Sequence, residues 1–285
     1  MTTTPRATQR VAQGVPTAAG VPSGPPPDVR EAMLTKLLRF QRPERNLPYL
    51  YGLPEDRVAG LFGLTPEAYE QRLAAFAAEA RGAADTLRAD PELAPAIGRL
   101  PFTAGQRIVA LGESTTADRL SWLEILTALL PEGVSVTNLA VSGCTTTQAR
   151  TLAPALGQAR PDWVFCLLGT NDVQRPGAQT LVSLDETRRN LTALRALAPD
   201  ARWIWLTPTP VDEDRVAAFE PFRRAGLSWR DADVTAIAEE LRERPEPTVD
   251  TRPPATGRHL DDGVHLTLEG QRELAAEVIR ALAEL

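Results

Sequence analysis

Four short stretches of the 285-residue chain place nucleophilic, basic and hydrogen-bond-donating residue types just after apolar runs. They are "GESTT" (Gly112–Thr116), "NLAVSGCTTT" (Asn138–Thr147), "LLGTNDV" (Leu167–Val173) and "DDGVHLTLEGQ" (Asp261–Gln271). Ser114 stands between an apolar run and a helical pattern, on a turn that lifts its hydroxyl at the start of a helix. A hydroxyl alone is a poor nucleophile; it needs an adjacent base, and the base needs a group that holds its tautomer and steadies the imidazolium. The chain offers two histidines. His265 follows Asp262 by three residues in one loop and precedes a helix expected from about Thr267, whereas His259 lies in "RPPATGRHL" without such a setting. Ser114, His265 and Asp262 are therefore the candidate nucleophile, base and orienting carboxylate.

Attack on an acyl carbonyl puts negative charge on oxygen, which preorganised N–H donors must meet. The backbone N–H groups of Ser114 and Gly143 and the side-chain amide of Asn171 come from three successive loops and suit that task. Glycine at 143 permits close approach, having no side chain in the way. Each residue taken alone also has an ordinary structural reading: Ser114 or Thr116 caps a helix, Gly143 serves a turn, and Asn171 and Asp172 cap or form Asx-turns. Their joint occurrence at successive strand ends favours chemistry.

The elements that must position these residues are short β-rich runs alternating with longer helical ones, the pattern of a parallel sheet covered by helices. The runs are "RIVAL" from Arg107, "VSVTNLAV" from Val134, "WVFCLL" from Trp163, "RWIWLT" from Arg202 and a weaker "PTVD" at Pro247. Helices are expected near 117–130, 146–157, 184–197, 231–243 and 267–283, which makes five βα units. Leu120, Leu123, Leu126 and Leu130 form one stripe on the first of these. In such a fold the site gathers at the carboxyl ends of the strands.

Before this region, residues 1–27 are rich in Thr, Pro, Gly and Ala and read as a disordered tail. Residues 28–100 read as an N-terminal helical region, with Asp28 and Glu31 spaced as a capping box for a helix carrying Val29, Met33, Leu34, Leu37 and Leu38. Pro54 and Pro66 suit first helical turns, with Gly63 between. Residues 101–285 remain as the catalytic domain, and the whole site is expected to lie within them.

"LPEDRVAGLFGLTPEAYEQRLAAF" (Leu53–Phe76) has the outline of a helix-turn-helix, which raises a DNA-binding regulator as a rival of another class. Glu67, Glu70 and Glu79 against Arg72 and Arg81 do not make the basic face such a helix needs. A net charge of −6 argues in the same direction, so no nucleic-acid partner is expected. A helical hairpin packed on the next domain is the favoured reading.

No secretory signal or membrane-spanning run is evident, which points to the cytoplasm and to no membrane partner. Cys144 and Cys166 lack metal-type spacing and read as small buried residues. Lys36 is the sole lysine among 31 lysines and arginines, a compositional habit that says nothing of substrate. Val211–Trp229 is expected to form one wall of the site.

The order of the four blocks resembles the SGNH hydrolases, or GDSL family of esterases and lipases, over roughly residues 105–285. The resemblance implies Ser114 as nucleophile, Asp262 and His265 as the rest of the triad, and Ser114, Gly143 and Asn171 as the oxyanion hole. It also implies a three-layer α/β/α sandwich with a five-stranded parallel sheet, here preceded by the helical region. The family signature usually has Asp before the serine where this chain has Glu113. The G-x-S-x-G elbow of the α/β-hydrolases is absent, because Thr116 stands at its last glycine.

The expected function is thus a serine esterase working through an acyl-enzyme on a small-molecule ester, with no metal or organic cofactor. An acyltransferase or thioesterase on the same site is the alternative among enzymes, and a degenerate binding domain would not need every role filled. Acyl chain, alcohol and oligomeric state are not legible.

Overall fold

Five apolar runs become strands: β1 (Arg107–Gly112), β2 (Ser135–Asn138), β3 (Trp163–Leu167), β4 (Arg202–Leu206) and β5 (Thr248–Val249). In this computed structural model, which describes residues 26–43 and 54–285, they form one parallel sheet in the order β2-β1-β3-β4-β5. The alternation of side chains along each strand divides the core. Ile108, Ala110, Phe165 and Ile204 face one apolar cluster, and Val109, Leu111, Val164, Cys166, Trp203 and Trp205 face another. Helices cover both faces, so the fold is a three-layer α/β/α sandwich.

In chain order the helices that matter for the site are α1 (Pro27–Phe40), α2 (Pro66–Ala89), α3 (Ser114–Ala117), α4 (Trp122–Thr127), α5 (Leu184–Ala196), α6 (Asp231–Arg242) and α7 (Leu268–Ala283). The first cluster takes Ala80, Ala83, Ala84 and Leu87 of α2, Trp122 and Leu126 of α4, and Leu274 and Ile279 of α7. The second takes Leu191 and Leu194 of α5 and Val234, Ile237 and Leu241 of α6. The buried face of α2 is therefore part of the main core, as a hairpin packed on its neighbour requires.

Because β2 lies on one side of β1 and β3 on the other, the chain reverses its direction of winding between β1 and β3. The carboxyl ends of those two strands flank the crevice where such sheets place a site.

Several local expectations are corrected. The helix expected over 117–130 is two pieces, α3 and α4, because the Asp118 carboxylate accepts Leu120 N at 2.9 Å and Ser121 Oγ starts a new helix by accepting Glu124 N at 3.3 Å. The helix expected over 146–157 is Thr146–Ala149, a 3-10 turn over Arg150–Leu152 and Ala153–Ala159, with Pro154 at the new start.

Strand β2 ends at Asn138, three residues before the expected run does, where the Asn138 side chain accepts Ala140 N and donates to Thr116 O. Asp28 is not a cap: α1 starts at Pro27, and Glu31 pairs with Arg72 at 2.6 Å. Pro54 is the N-cap of Glu55–Leu61, one position before the first turn, while Pro66 opens α2 behind the N-cap Thr65.

Residues 1–25, most of the expected tail, lie outside the described residues. Cys144 and Cys166 are both buried and free, and burial pushes the Cys144 thiol up to about 12. Among the described residues no helix is long and apolar enough to cross a membrane.

Candidate active site

Ser114 is the first residue of α3, separated from β1 only by Glu113, so its N–H belongs to the first helical turn, which has no acceptor within the helix. Gly112 is required behind it. A Cβ there would come within 2.6 Å of Thr116 Cβ, and Thr116 is itself held by Trp122, whose Nε1 donates to Thr116 Oγ1 at 3.2 Å. The residue that replaces the last glycine of the common elbow is thus wedged under the turn that presents Ser114.

Gly143, in the loop after β2, has φ of +79°, the left-handed region that glycine enters without strain. Asn171 lies in the loop after β3. Its Nδ2 donates to Glu113 Oε2 at 2.8 Å and to the Cys144 carbonyl at 3.2 Å. Thr170 N and Asn171 N donate to the two Glu113 oxygens at 3.1 Å each. The longer acidic side chain at 113 therefore reaches across from the β1 loop and closes the β3 loop with three donors. Burial pushes Glu113 up to about 7, partly offset by the Thr170 and Asn171 bonds and reinforced by Asp172. The buried Asp172 carboxylate in turn accepts from Thr146 and Thr187, tying the same loop to α5 and to the helix at 146.

His265 Nδ1 lies 2.8 Å from Asp262 Oδ2, while Asp262 Oδ1 accepts Val264 N at 3.1 Å and His265 N at 2.9 Å. Burial alone would raise the Asp262 pKa, but it is held well below the usual carboxylate range by the His265 bond and charge and by the bond from Lys36. An ionised carboxylate only accepts, so Nδ1 carries a proton, and in the neutral imidazole Nε2 is then the nitrogen with the lone pair. His259, by contrast, is buried with Nε2 on the Pro210 carbonyl at 2.8 Å.

Ser114, Gly143, Asn171 and His265 line one cavity of about 550 Å³, with the Asp262 carboxylate behind His265. Phe219, Pro221, Phe222 and Trp229 form the wall expected of Val211–Trp229. Arg224 is not part of it; it is exposed and paired with Glu220.

The remaining wall comes from α1, which sequence reasoning left outside the site. Met33, Lys36, Leu37 and Phe40 all border the cavity. Lys36 Nζ lies 2.8 Å from Asp262 Oδ2, the oxygen that also faces His265 Nδ1, and the Phe40 ring centroid is 4.4 Å from that of His265. Arg39 makes a two-pronged pair with Asp118 and donates to the Leu266 carbonyl. Ser142 Oγ donates to the Phe40 carbonyl. The one available signal was a solitary lysine in a chain that otherwise uses arginine.

The solved structures most like this fold include a lipase/acylhydrolase from Enterococcus faecalis, 20% identical, with a TM-score of 0.52 over 63% of this chain and 96% of that one. Another is a putative acylhydrolase from Bacteroides fragilis NCTC 9343, 19% identical, with a TM-score of 0.51 over 67% of this chain and 94% of that one. At these identities the likeness concerns the fold. No curated protein sequence matches the chain. The family model described as GDSL-like lipase/acylhydrolase matches residues 110–273, more than half of the chain and all four blocks, so the chain belongs to that family of ester hydrolases.

Proposed function

We propose that this ester hydrolase is a serine esterase that works through an acyl-enzyme, with Ser114 as nucleophile, His265 as general base and acid, and Asp262 as the group that orients His265. The observation that carries this reading is the 2.8 Å contact between His265 Nδ1 and Asp262 Oδ2 on the cavity that also holds Ser114. Ser114 Oγ attacks the ester carbonyl carbon as His265 Nε2 takes its proton. The charge that develops on the carbonyl oxygen is met by Ser114 N–H, Gly143 N–H and the Asn171 amide, which exchanges its longer bond to the Cys144 carbonyl for the oxyanion. Collapse breaks the bond to the leaving oxygen, which receives the proton from His265. Water then repeats the sequence on the acyl-enzyme and frees the acid and Ser114.

Ser114→Ala tests this directly on a panel of simple carboxylic esters. Hydrolysis should be lost while circular dichroism and thermal unfolding stay those of the wild type, since only one oxygen atom is removed. A folded variant that still turns over at a comparable rate would eliminate Ser114 as nucleophile.

A further inference from the structure

Helix α1 carries apolar residues on two faces. Leu38 is fully buried and Leu34 packs against the same cluster, which includes Val58, Tyr69, Phe76 and Leu120. Val29, Met33 and Leu37, spaced by four, make a second stripe whose members are 43%, 54% and 47% exposed. Large apolar side chains in a row on one helix face call for a partner. This stripe is continuous with the cavity at Ser114 and His265, because Met33 and Leu37 are two of the cavity's lining residues.

The stripe is held in place. Lys36, between Met33 and Leu37, is bound to Asp262; Arg39 is bound to Asp118 and the Leu266 carbonyl; Arg119 donates from Nε to the Leu38 carbonyl at 2.8 Å and from its backbone N–H to the Arg39 carbonyl at 3.0 Å. The backbone that carries the stripe is therefore already fixed, and a ligand has only the side chains to order.

Which half of an ester meets α1 follows from the chemistry. This step rests on the proposed function. The leaving oxygen must sit beside His265, which returns the proton to it, while the acyl carbonyl points to the donors at Gly143 and Asn171. Phe40, at the end of α1, packs on the His265 ring. Trp229, which donates from Nε1 to the Thr170 carbonyl at 2.9 Å, and Phe222, which packs on it, line the cavity near Asn171, where the carbonyl oxygen is held. Helix α1, whose Phe40 packs on the ring that returns the proton, thus borders the leaving-group side.

We infer that α1 is the alcohol-selecting element of this enzyme: the substrate is an ester of an extended apolar alcohol, whose chain lies from His265 past Phe40 along Leu37 and Met33. This element lies outside the region that defines the family, so the preference belongs to this chain's own residues.

The test uses two matched ester series on the full-length protein, acetates of alcohols from ethyl to octyl and methyl esters of acids from acetic to octanoic. Wild-type kcat/KM should rise along the alcohol series by about two- to fourfold per added methylene, as burial of each group against α1 implies. Leu37→Ser and Met33→Ser should each flatten that rise and leave the slope of the acid series as it was. Met33→Trp, which adds bulk at the rim, should shorten the alcohol at which the rise stops, and it serves if either serine variant folds poorly.

An alcohol slope that survives in the variants, or an acid slope that falls in its place, overturns the inference, the second outcome assigning α1 to the acyl chain. Ser114-dependent hydrolysis with a flat wild-type alcohol series overturns it while leaving the proposed function standing. Absence of Ser114-dependent hydrolysis in both series overturns both.

Discussion

Glu113 Oε2 accepts both the backbone N–H of Asn171, at 3.1 Å, and its side-chain amide, at 2.8 Å. One buried carboxyl group beside the candidate nucleophile thereby fixes the orientation of the candidate oxyanion donor, joining the loops after β1 and β3. The link also has an electrostatic cost, because Glu113 is 1% exposed.

That cost sets a pH dependence of stability. Burial raises Glu113 from 4.5 to about 7, so the folded protein keeps a proton that the unfolded chain releases near 4.5. Between these values the folded state binds more protons, and the Glu113 contribution to stability falls as pH rises, levelling off above about 7. Glu113→Gln cannot ionise. The stability of wild type minus variant, from urea unfolding at a series of pH values, should drop by about 3 kcal/mol across that window. A difference that grows with pH would show that the carboxylate is favoured by its donors despite burial, and a constant one that the donors just cancel the cost of burial.

The two histidines should separate cleanly. His265→Ala removes the base and should abolish turnover in a folded protein. His259 Nε2 is bound to the Pro210 carbonyl in a buried setting, so His259→Ala should keep kcat near the wild-type value and lose about 1–3 kcal/mol of stability. Kinetics and thermal melts on the same two preparations decide it; a dead but stable His259 variant would move the base to the other ring.

Asp262 and His265 were legible in the sequence because their relation is local: three residues apart in one loop, they need no knowledge of the fold to be brought together. The central strands were legible for a similar reason, since burial on both faces writes them as apolar runs such as "WVFCL". Strand order was not, because nothing in Arg107–Gly112 states that β3 and not β4 will pair beside it.

The role of α1 was hidden by sequence distance. Lys36 and Asp262 are 226 positions apart, and the apolar stripe of α1 reads equally well as a core face or a substrate face. Glu113 was visible as a departure from the family's usual Asp, but its partners lie 57 and 58 residues away.

Asn171 is proposed to act only when charge appears on the carbonyl oxygen, so Asn171→Ala should lower kcat by about 10²–10³ with KM nearly unchanged. The amide also fastens its own loop through Glu113. A variant with near-normal kcat per folded molecule and a lower melting temperature would reduce Asn171 to that fastening role.

The last expectation concerns the joint between α1 and the rest of the site. The Asp118 carboxylate has no exposed side-chain surface and is paired with Arg39, itself 13% exposed, while Leu120 N and the Gln271 amide supply further donors. Arg39→Ala leaves that charge buried without its cation, a change that typically costs about 3–5 kcal/mol. Adding Asp118→Asn removes the stranded charge while keeping a group that can accept from Leu120 N. The double variant should therefore unfold at a higher temperature than Arg39→Ala alone, although each substitution by itself destabilises the protein. If the two losses simply add, the Arg39 contribution comes from its bond to the Leu266 carbonyl and from packing, and α1 is held to the active site chiefly through Lys36 and Phe40.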